Sequence, residues 1–597
     1  MVRSWLIITT LAFSVVTLLS QSQTFYSGNN VTGQLTLART VNALAQAQLD
    51  AQQAAANGVS VQARASAAVP TPNFPKFPTL PHPALTNRFG TASAGVSATA
   101  TAPAAVTSHL TLVPNVYGAR FNALTHAQQR NANGGNQFNV EPPSPQIAVA
   151  NGFVLEGVNN AIQVYNTSGK ALLPAVLATN ELFGVAPAID RSTGFNGVYP
   201  TDLRVFYDPD INRWFVLQRS QDNDPAGNPI SLSHLYVAVS QTGDPTGTYN
   251  IYVADTTNAG NPGCPCLEDY LQVGADQYGF YISADEYDTS AFPGFVDATI
   301  WAISKASLQS GAHAPTAYRF TLPALTGYEF AVQPATTPPH ASYFLASGGL
   351  EYFVSSVFTS SVANSIAVWA MTNTSSLATP SPTPQLRQIT VPTLTYSFPD
   401  VAVQPDGYRP LGGSAPVPFI DGGDIRVQSV SYAGGRLYVT IATSVDVKVG
   451  ALNGCAYIVL SPVLRSNVLN ASVLMQDYLV VDGASVLRPA VAVTDQGQGA
   501  IAATLVGPKR FASAMFIPID GPLVTPTKLD IAAGGGLPED GFTGYIGDTA
   551  PVARWGDYSG AVIAGDGSTW MVTEYISTLP RSQYGNWDTL IVQKPAP

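Results

Sequence analysis

The sequence predicts an all-β protein. It reads as a seven-bladed β-propeller of four-stranded antiparallel blades over residues 141–595, preceded by a signal peptide (1–22) and a leader (23–140) with one helix and a Pro-rich flexible region. Two observations predict this. A hairpin of two short strands around a Gly- or Asp-rich turn recurs seven times, and a short aliphatic–aromatic strand follows every copy. All-β units repeated at roughly 60 to 90 residues are the mark of a propeller, with the excess over an ordinary blade placed in loops. A third observation is composition. Gly (51) and Pro (46) are abundant, as many turns require, and charged residues are only 11%, against about 25% in an average soluble protein.

The first residues read as an export signal. Arg3 supplies a positive start, Trp5–Leu19 is apolar, and Ser20 and Ser22 are small residues at a cleavage position. The run is short for a membrane span, so the expected localisation is secreted, extracellular or periplasmic, with no transmembrane segment beyond the signal. Next, Leu35–Ala55 is rich in Ala, Gln and Leu and predicts a helix, with Leu37, Val41, Leu44 and Gln48 on one stripe and Gly58 as its stop. Pro70–Pro83 reads as an extended linker, and Thr91–Val106 as low-complexity, disordered chain. Phe121–Asn139 reads as a polar lead-in.

The repeats then begin. The hairpin turns fall at Ala150–Gly152, Asp208–Arg213, Asp276–Gly279, Ser347–Gly349, Ala433–Gly435, Asp495–Gly499 and Asp566–Ser568. Gly, Asn and Asp stand there because tight hairpins need positive φ. The strand that follows each hairpin is Ile162–Tyr165, Leu235–Val239, Ile300–Ile303, Ile366–Ala370, Ala456–Leu460, Ala514–Ile517 and Leu590–Val592. The longest gap separates copies four and five, so six or eight blades are the alternatives. An open sheet edge is a hazard, so the last blade must be tied to the first. Leu110–Val113 is the strand expected to complete it.

Several innermost strands start with an acid: Asp202, Asp269, Asp424 and Asp557, with Glu329 at the matching place in the fourth copy. In a propeller these starts converge on one mouth of the channel. Carboxylates gathered there suit calcium or a polar ligand, and Asp202, Asp269, Asp424 and Asp557 form the candidate calcium set. Alternatively each Asp caps its own loop through backbone N–H groups. Arg204, Arg426 and Arg554 accompany the acids and Arg488 opens the sixth copy, a set able to hold a carboxylate or to pair with the acids. Asp208–Asn212 has the opening spacing of a calcium loop, but Arg213 and Arg219 stand where Gly and Glu are needed, so it reads as a hairpin turn. Glu286-Tyr287, Glu351-Tyr352 and Glu574-Tyr575 are adjacent pairs whose side chains face opposite sides of a sheet.

No nucleophilic triad, zinc spacing or phosphate loop is legible. The net charge of −11 excludes the basic surface that nucleic acid requires. Of three cysteines, Cys264 and Cys266 stand too close for an easy mutual bond, so either one pairs with Cys455 or all remain thiols.

The stretch Asp566-Gly-Ser-Thr-Trp570 resembles the Asp-box turn of sialidase-type propellers, where the Asp and the aromatic residue stabilise a blade hairpin. Sialidases also carry an Arg-Ile-Pro segment that this chain lacks, so no catalytic residue is carried over. The stretches Tyr207–Val216, Val237–Tyr249, Glu268–Ser283 and Arg554–Gly560 are similar to secreted bacterial propeller proteins of no assigned activity. That resemblance implies a fold and a compartment. The expected function is a binding or scaffold module for an extracellular polysaccharide or protein, as a monomer. The alternatives are a glycoside-active enzyme of sialidase or lyase type, and a structural cell-surface protein anchored by residues 23–140.

Overall fold

The structure is a computed structural model. It describes residues 21–596 apart from 57–105, 138–141, 540–551 and 579–586 and shorter gaps at 227–228, 259–260, 290–293, 340–347, 358, 408–416 and 448–449. The expected signal segment up to residue 20, the Pro70–Pro83 linker and nearly all of the low-complexity stretch lie outside the described residues.

Seven small sheets stand in a ring. Blade 1 comprises Gln146–Ala150, Phe153–Val158, Ala161–Asn166 and Leu177–Ala178; blade 2, Tyr199–Asp208, Arg213–Asn223, Pro229–Ser240 and Thr248–Asp255. Blade 3 comprises Cys266–Ala275, Gly279–Asp288, Phe295–Ser304 and Ala317–Pro323; blade 4, Gln333–Pro334, Leu350–Ser356, Val362–Thr372 and Gln385–Ser397. Blade 5 comprises Val427–Ala433, Arg436–Val447, Gly450–Arg465 and Val468–Val480; blade 6, Ser485–Val493, Gly499–Gly507, Arg510–Ile519 and Lys528–Ala533. Blade 7 comprises Gly560–Ile563, Thr569–Tyr575 and Asp588–Lys594. The strand counted after each hairpin is the third strand of its blade in all seven.

Each seam between neighbouring blades has its own apolar core. Leu155, Val164, Val205 and Val216 fill the seam of blades 1 and 2, and Val154, Tyr165, Trp570 and Ile591 fill that of blades 7 and 1. Alternation explains both. A strand buried on two faces presents one set of side chains to each neighbour. In Phe353-Val354, for example, Phe353 packs toward blade 3 and Val354 toward blade 5.

The ring is closed by Arg120–Thr125, which pairs antiparallel with Asp588–Lys594 as the fourth strand of blade 7. This corrects the expectation that Leu110–Val113 closes it. Thr111–Leu112 instead runs parallel to Lys528–Ala533 on the outer edge of blade 6. The lead-in that begins at Phe121 is thus strand, followed by the helix His126–Asn131 with a Thr125–Gln128 capping box. Phe121 packs on Tyr165 and Leu124 is fully buried. These two side chains, rather than the polar ones between and after them, decide the conformation.

The leader does more than close the ring. Thr24–Tyr26 pairs with blade 4, Gly28–Asn30 with blade 3, Thr36–Asn42 with blade 2 and Val106–His109 with blade 5. Blades 2 to 6 therefore have five strands, not the four expected. The predicted helix over Leu35–Ala55 splits accordingly, into the strand Thr36–Asn42 and the helix Ala43–Ala56. Leu37 and Val41 belong to the strand. An open edge on Thr248–Asp255 offers six backbone pairings, and this outweighs the small helix preference of Thr-Leu-Ala-Arg-Thr.

At the closure, Glu156 of blade 1 accepts hydrogen bonds from Leu124 N–H, from the Thr589 hydroxyl and from Tyr165 Oη. Burial pushes this carboxyl up to about 7, against the hydrogen bonds that lower it. Between roughly pH 4.5 and 7 the folded protein keeps a proton that the unfolded chain releases, so this group's contribution falls as pH rises through that window. Glu156→Gln is expected to flatten that part of the stability–pH curve, measured as urea midpoints from pH 4 to 8. Parallel curves for both proteins would refute the assignment.

The cysteines also differ from expectation. Cys264 and Cys266 are disulfide-bonded to each other, and Cys455 is a buried free thiol in the third strand of blade 5. The chain folds back at Pro265 and brings the two Cα atoms to 4.5 Å, inside the range a disulfide spans.

Candidate functional site

The innermost strands share a device. Ser144, Asp202, Tyr270, Ala331 and Arg488 have left-handed backbones, with φ of 49°, 55°, 56°, 46° and 51°. In blades 2, 3 and 6 the pairing register slips at this point, as a β-bulge does. The residue two places on then faces the channel: Gln146, Arg204, Gln272, Gln333 and Ala490. Non-Gly residues held so cost on the order of 1–3 kcal/mol each, and such strain gathers at functional sites. In blade 7 the equivalent turn uses Gly556, at φ 25°, where a Cβ would lie 2.2 Å from Glu574 Oε1.

Around these bulges lies a plug of arginine, acid and aromatic side chains. Arg219 bridges two blades, with Nε 2.9 Å from Asp202 Oδ2 and Nη2 2.7 Å from Asp269 Oδ1. The Tyr270 N–H also donates to Asp202. One guanidinium neutralises one of the two acids. Burial raises Asp202, but Arg219 and the hydrogen bonds it receives bring it below the usual carboxylate range. Burial and the neighbouring Asp202 charge push Asp269 the other way, against the Arg219 charge. Arg204 donates to the Leu271 carbonyl and lies 3.5 Å over the Tyr558 ring. Tyr558 stands 5.0 Å from Tyr270, and Arg426 covers Tyr270 at 4.2 Å and Phe330 at 5.1 Å. Arg426 is held by both oxygens of Asp424, and Arg488 by Asp421 and the Trp555 carbonyl.

The structure thus brings Asp202, Arg204, Asp269, Asp424 and Arg426 into one buried cluster. Arg488 lies beside Gly423, where a Cβ would meet its Nη1 at 2.4 Å. Arg554 and Asp557 sit further out, 3.5 Å apart and partly exposed. Glu329 belongs elsewhere. It takes N–H bonds from Thr326, Gly327 and Tyr328 and a hydroxyl from Tyr26 of the leader, so it fastens the belt to blade 4. The acids do not fit a calcium ion. Asp202, Asp269, Asp424 and Asp557 each already have an arginine within ion-pair distance. Likewise Lys305 Nζ lies 2.8 Å from Asp208 and 2.7 Å from Asp210 in the calcium-like turn.

Three participants were invisible in the sequence. Arg219 stands mid-strand without a motif. Tyr558 stands in the Arg554–Gly560 stretch with nothing to set it apart from its neighbours. Asp285 pairs in register with Asp269 and accepts the Ala331 N–H. Burial pushes Asp285 up to about 7, with Ala331 and Arg426 opposing, and its Oδ2 is buried without a hydrogen-bond partner.

Beyond the plug the channel opens into a cavity of about 120 Å³ that runs from Arg204 to Pro209 and Thr336–Pro339 at the other mouth. Its walls combine apolar side chains (Val205, Val273, Val430, Val562) with Arg204, the hydroxyls of Ser429, Ser431 and Ser559, and a belt of carboxamides from Gln146, Gln272, Gln333 and Gln428. Gln272 Nε2, Gln333 Oε1 and both amide atoms of Gln428 are buried without partners.

No protein-family model matches the chain, and no curated protein matches it. Among solved structures, a GH43 β-1,3-galactosidase with bound galactodeoxynojirimycin overlays 60% of this chain and 99% of its own, at 12% identity and a TM-score of 0.26. A sialidase of Trypanosoma rangeli overlays 68% of this chain and 57% of its own, at 8% identity and a TM-score of 0.29. A protein of unknown function from Dyadobacter fermentans overlays 65% and 78%, at 12% identity and a TM-score of 0.25. The chain spans little more than half of the sialidase. Overlays this loose carry no weight for function, and it is the chain's own seven sheets that make it a seven-bladed β-propeller.

Proposed function

We propose that this propeller is an extracellular binding module whose channel takes a neutral, hydroxyl-rich ligand of carbohydrate type. One observation carries the reading: the carboxamide belt, in which Gln272 Nε2, Gln333 Oε1 and both amide atoms of Gln428 are buried without partners at the cavity wall. A buried polar atom left unpaired costs about 1–3 kcal/mol. Carboxamides offer donors and acceptors without charge, which suits sugar hydroxyls. The plug supports a binding role because Arg219 already holds Asp202 and Asp269, and Arg426 holds Asp424. Gln428→Leu and Gln272→Leu are each expected to weaken binding about tenfold, the value of one buried hydrogen bond. Titration calorimetry against a panel of neutral oligosaccharides tests this. A panel without a ligand, or equal affinity in the variants, overturns it.

A second reading, a glycoside-active enzyme, rests on Asp285. A buried carboxyl near neutrality, with one free oxygen, is what a general acid requires. This reading predicts hydrolysis of an aryl glycoside that Asp285→Asn abolishes. Inertness toward a broad glycoside panel removes it.

A further inference from the structure

Cys264 and Cys266 lie where the innermost strand of blade 3 begins, at the rim of the plugged mouth. Cys266 is fully buried, and Cys264 is partly exposed. A carboxylate oxygen of Glu286 and the two sulfurs all lie within 4.8 Å of one another. Glu286 is buried in the second strand, with Asn258 donating to it and Arg319 Nη1 2.7 Å from the Asn258 oxygen. Burial raises this carboxyl, a hydrogen bond with Asp297 and the charges of Asp297 and Glu268 raise it further, and Arg319 opposes them, so it is pushed up to about 10 and shares a proton with Asp297. A neutral carboxylic acid beside a buried sulfur has one evident chemical use. It can protonate that sulfur as it leaves a disulfide, where a bare thiolate would be costly.

We propose that Cys264–Cys266 is a thiol–disulfide exchange centre in which Cys264 is the sulfur attacked and Glu286 is the proton donor to Cys266. A thiolate of a small thiol or of another protein bonds to Cys264 Sγ. The S–S bond breaks, and its electron pair leaves on Cys266 Sγ, which takes the Glu286 proton. A second thiol attacks the incoming sulfur of the mixed disulfide and releases Cys264. Two thiols are oxidised to a disulfide, the protein pair is reduced, and the two thiol protons end on the cysteines with Glu286 reloaded. Glu286 belongs to a Glu-Tyr pair whose Tyr287 packs into the plug. The pair therefore divides between two sites on opposite faces of one strand.

The test uses the whole folded protein with reduced glutathione, iodoacetamide and peptide mass spectrometry. Cys264 and Cys266 are expected to become alkylable under native conditions while Cys455 stays protected, and oxidised glutathione restores the bond. With oxidised glutathione, the Cys264 thiol of Cys266→Ser is expected to keep one glutathione as a mixed disulfide and release the other as a thiol. Glu286→Gln should slow the exchange at least roughly tenfold, as loss of a positioned acid does. A bond that opens only in denaturant, or an unchanged rate in Glu286→Gln, overturns the proposal. If that variant does not fold, the trapping experiment decides alone. Equal capture of glutathione by Cys266 in Cys264→Ser rejects the assigned direction of attack.

Discussion

Arg219→Met is expected to destabilise the protein by about 3–5 kcal/mol, the usual cost of removing one partner of a buried ion pair. The guanidinium reaches Asp202 and Asp269 from two of its nitrogens, so both acids lose their partner at once. The loss is specific to pH. Asp202 has a depressed folded-state pKa, so its contribution is full above the ordinary carboxylate value and disappears as pH falls through the lower folded value. The wild type and the variant should therefore differ most near neutrality and converge in acid. Urea unfolding followed by tyrosine and tryptophan fluorescence measures both. Arg219→Lys should rescue little, because one ammonium on a flexible stem does not reproduce a fork that spans two blades. A loss under 1 kcal/mol in the methionine variant would show that the bridge contributes no more than a surface pair.

The closing strand is the second place where a small change has a large effect. Leu124→Pro removes the N–H that binds Glu156, and it places a ring in the strand that completes blade 7. Together, loss of the hydrogen bond to a buried carboxyl, of a buried leucine side chain and of strand geometry reaches into the 5–15 kcal/mol that typically separates folded from unfolded protein. The variant is expected in the insoluble fraction or as an expanded species by size exclusion. Leu124→Ala, which keeps the backbone, should fold and lose about 2–5 kcal/mol. A compact, fully soluble proline variant would mean that the ring stays shut without this strand.

Much of the architecture is legible in the residues because a propeller repeats itself. Every third strand, from Ile162–Tyr165 to Leu590–Val592, shows an aliphatic run, with an aromatic residue in all but the last, and each is buried between two blades. The leader is not legible for the opposite reason. Thr36–Asn42 and Arg120–Thr125 take their conformation from edges offered by residues hundreds of positions away, and local preference is silent about such partners. The site divides in the same way. The acids at the strand starts mark the mouth, although the register sets Asp202 at the left-handed turn and Asp269 one residue before it, so their recurrence in the sequence is approximate. Arg219, Asp285 and Tyr558 join them only through inter-strand register, and the left-handed turns at Tyr270 and Arg488 fall on residues that no turn rule would choose.

The leader strands have a consequence for the living chain, which a ribosome extrudes from one end. Thr24–Tyr26 is made long before its partner Gln388 of blade 4, and Arg120–Thr125 long before Asp588–Lys594. Each waits for an edge that does not yet exist. While the blades accumulate one by one, these strands remain single and able to pair with any exposed edge of a neighbouring nascent chain. A polysome carrying this message holds many such half-finished copies side by side. The step that decides its yield is the holding of Arg120–Thr125 unpaired until Asp588–Lys594 arrives.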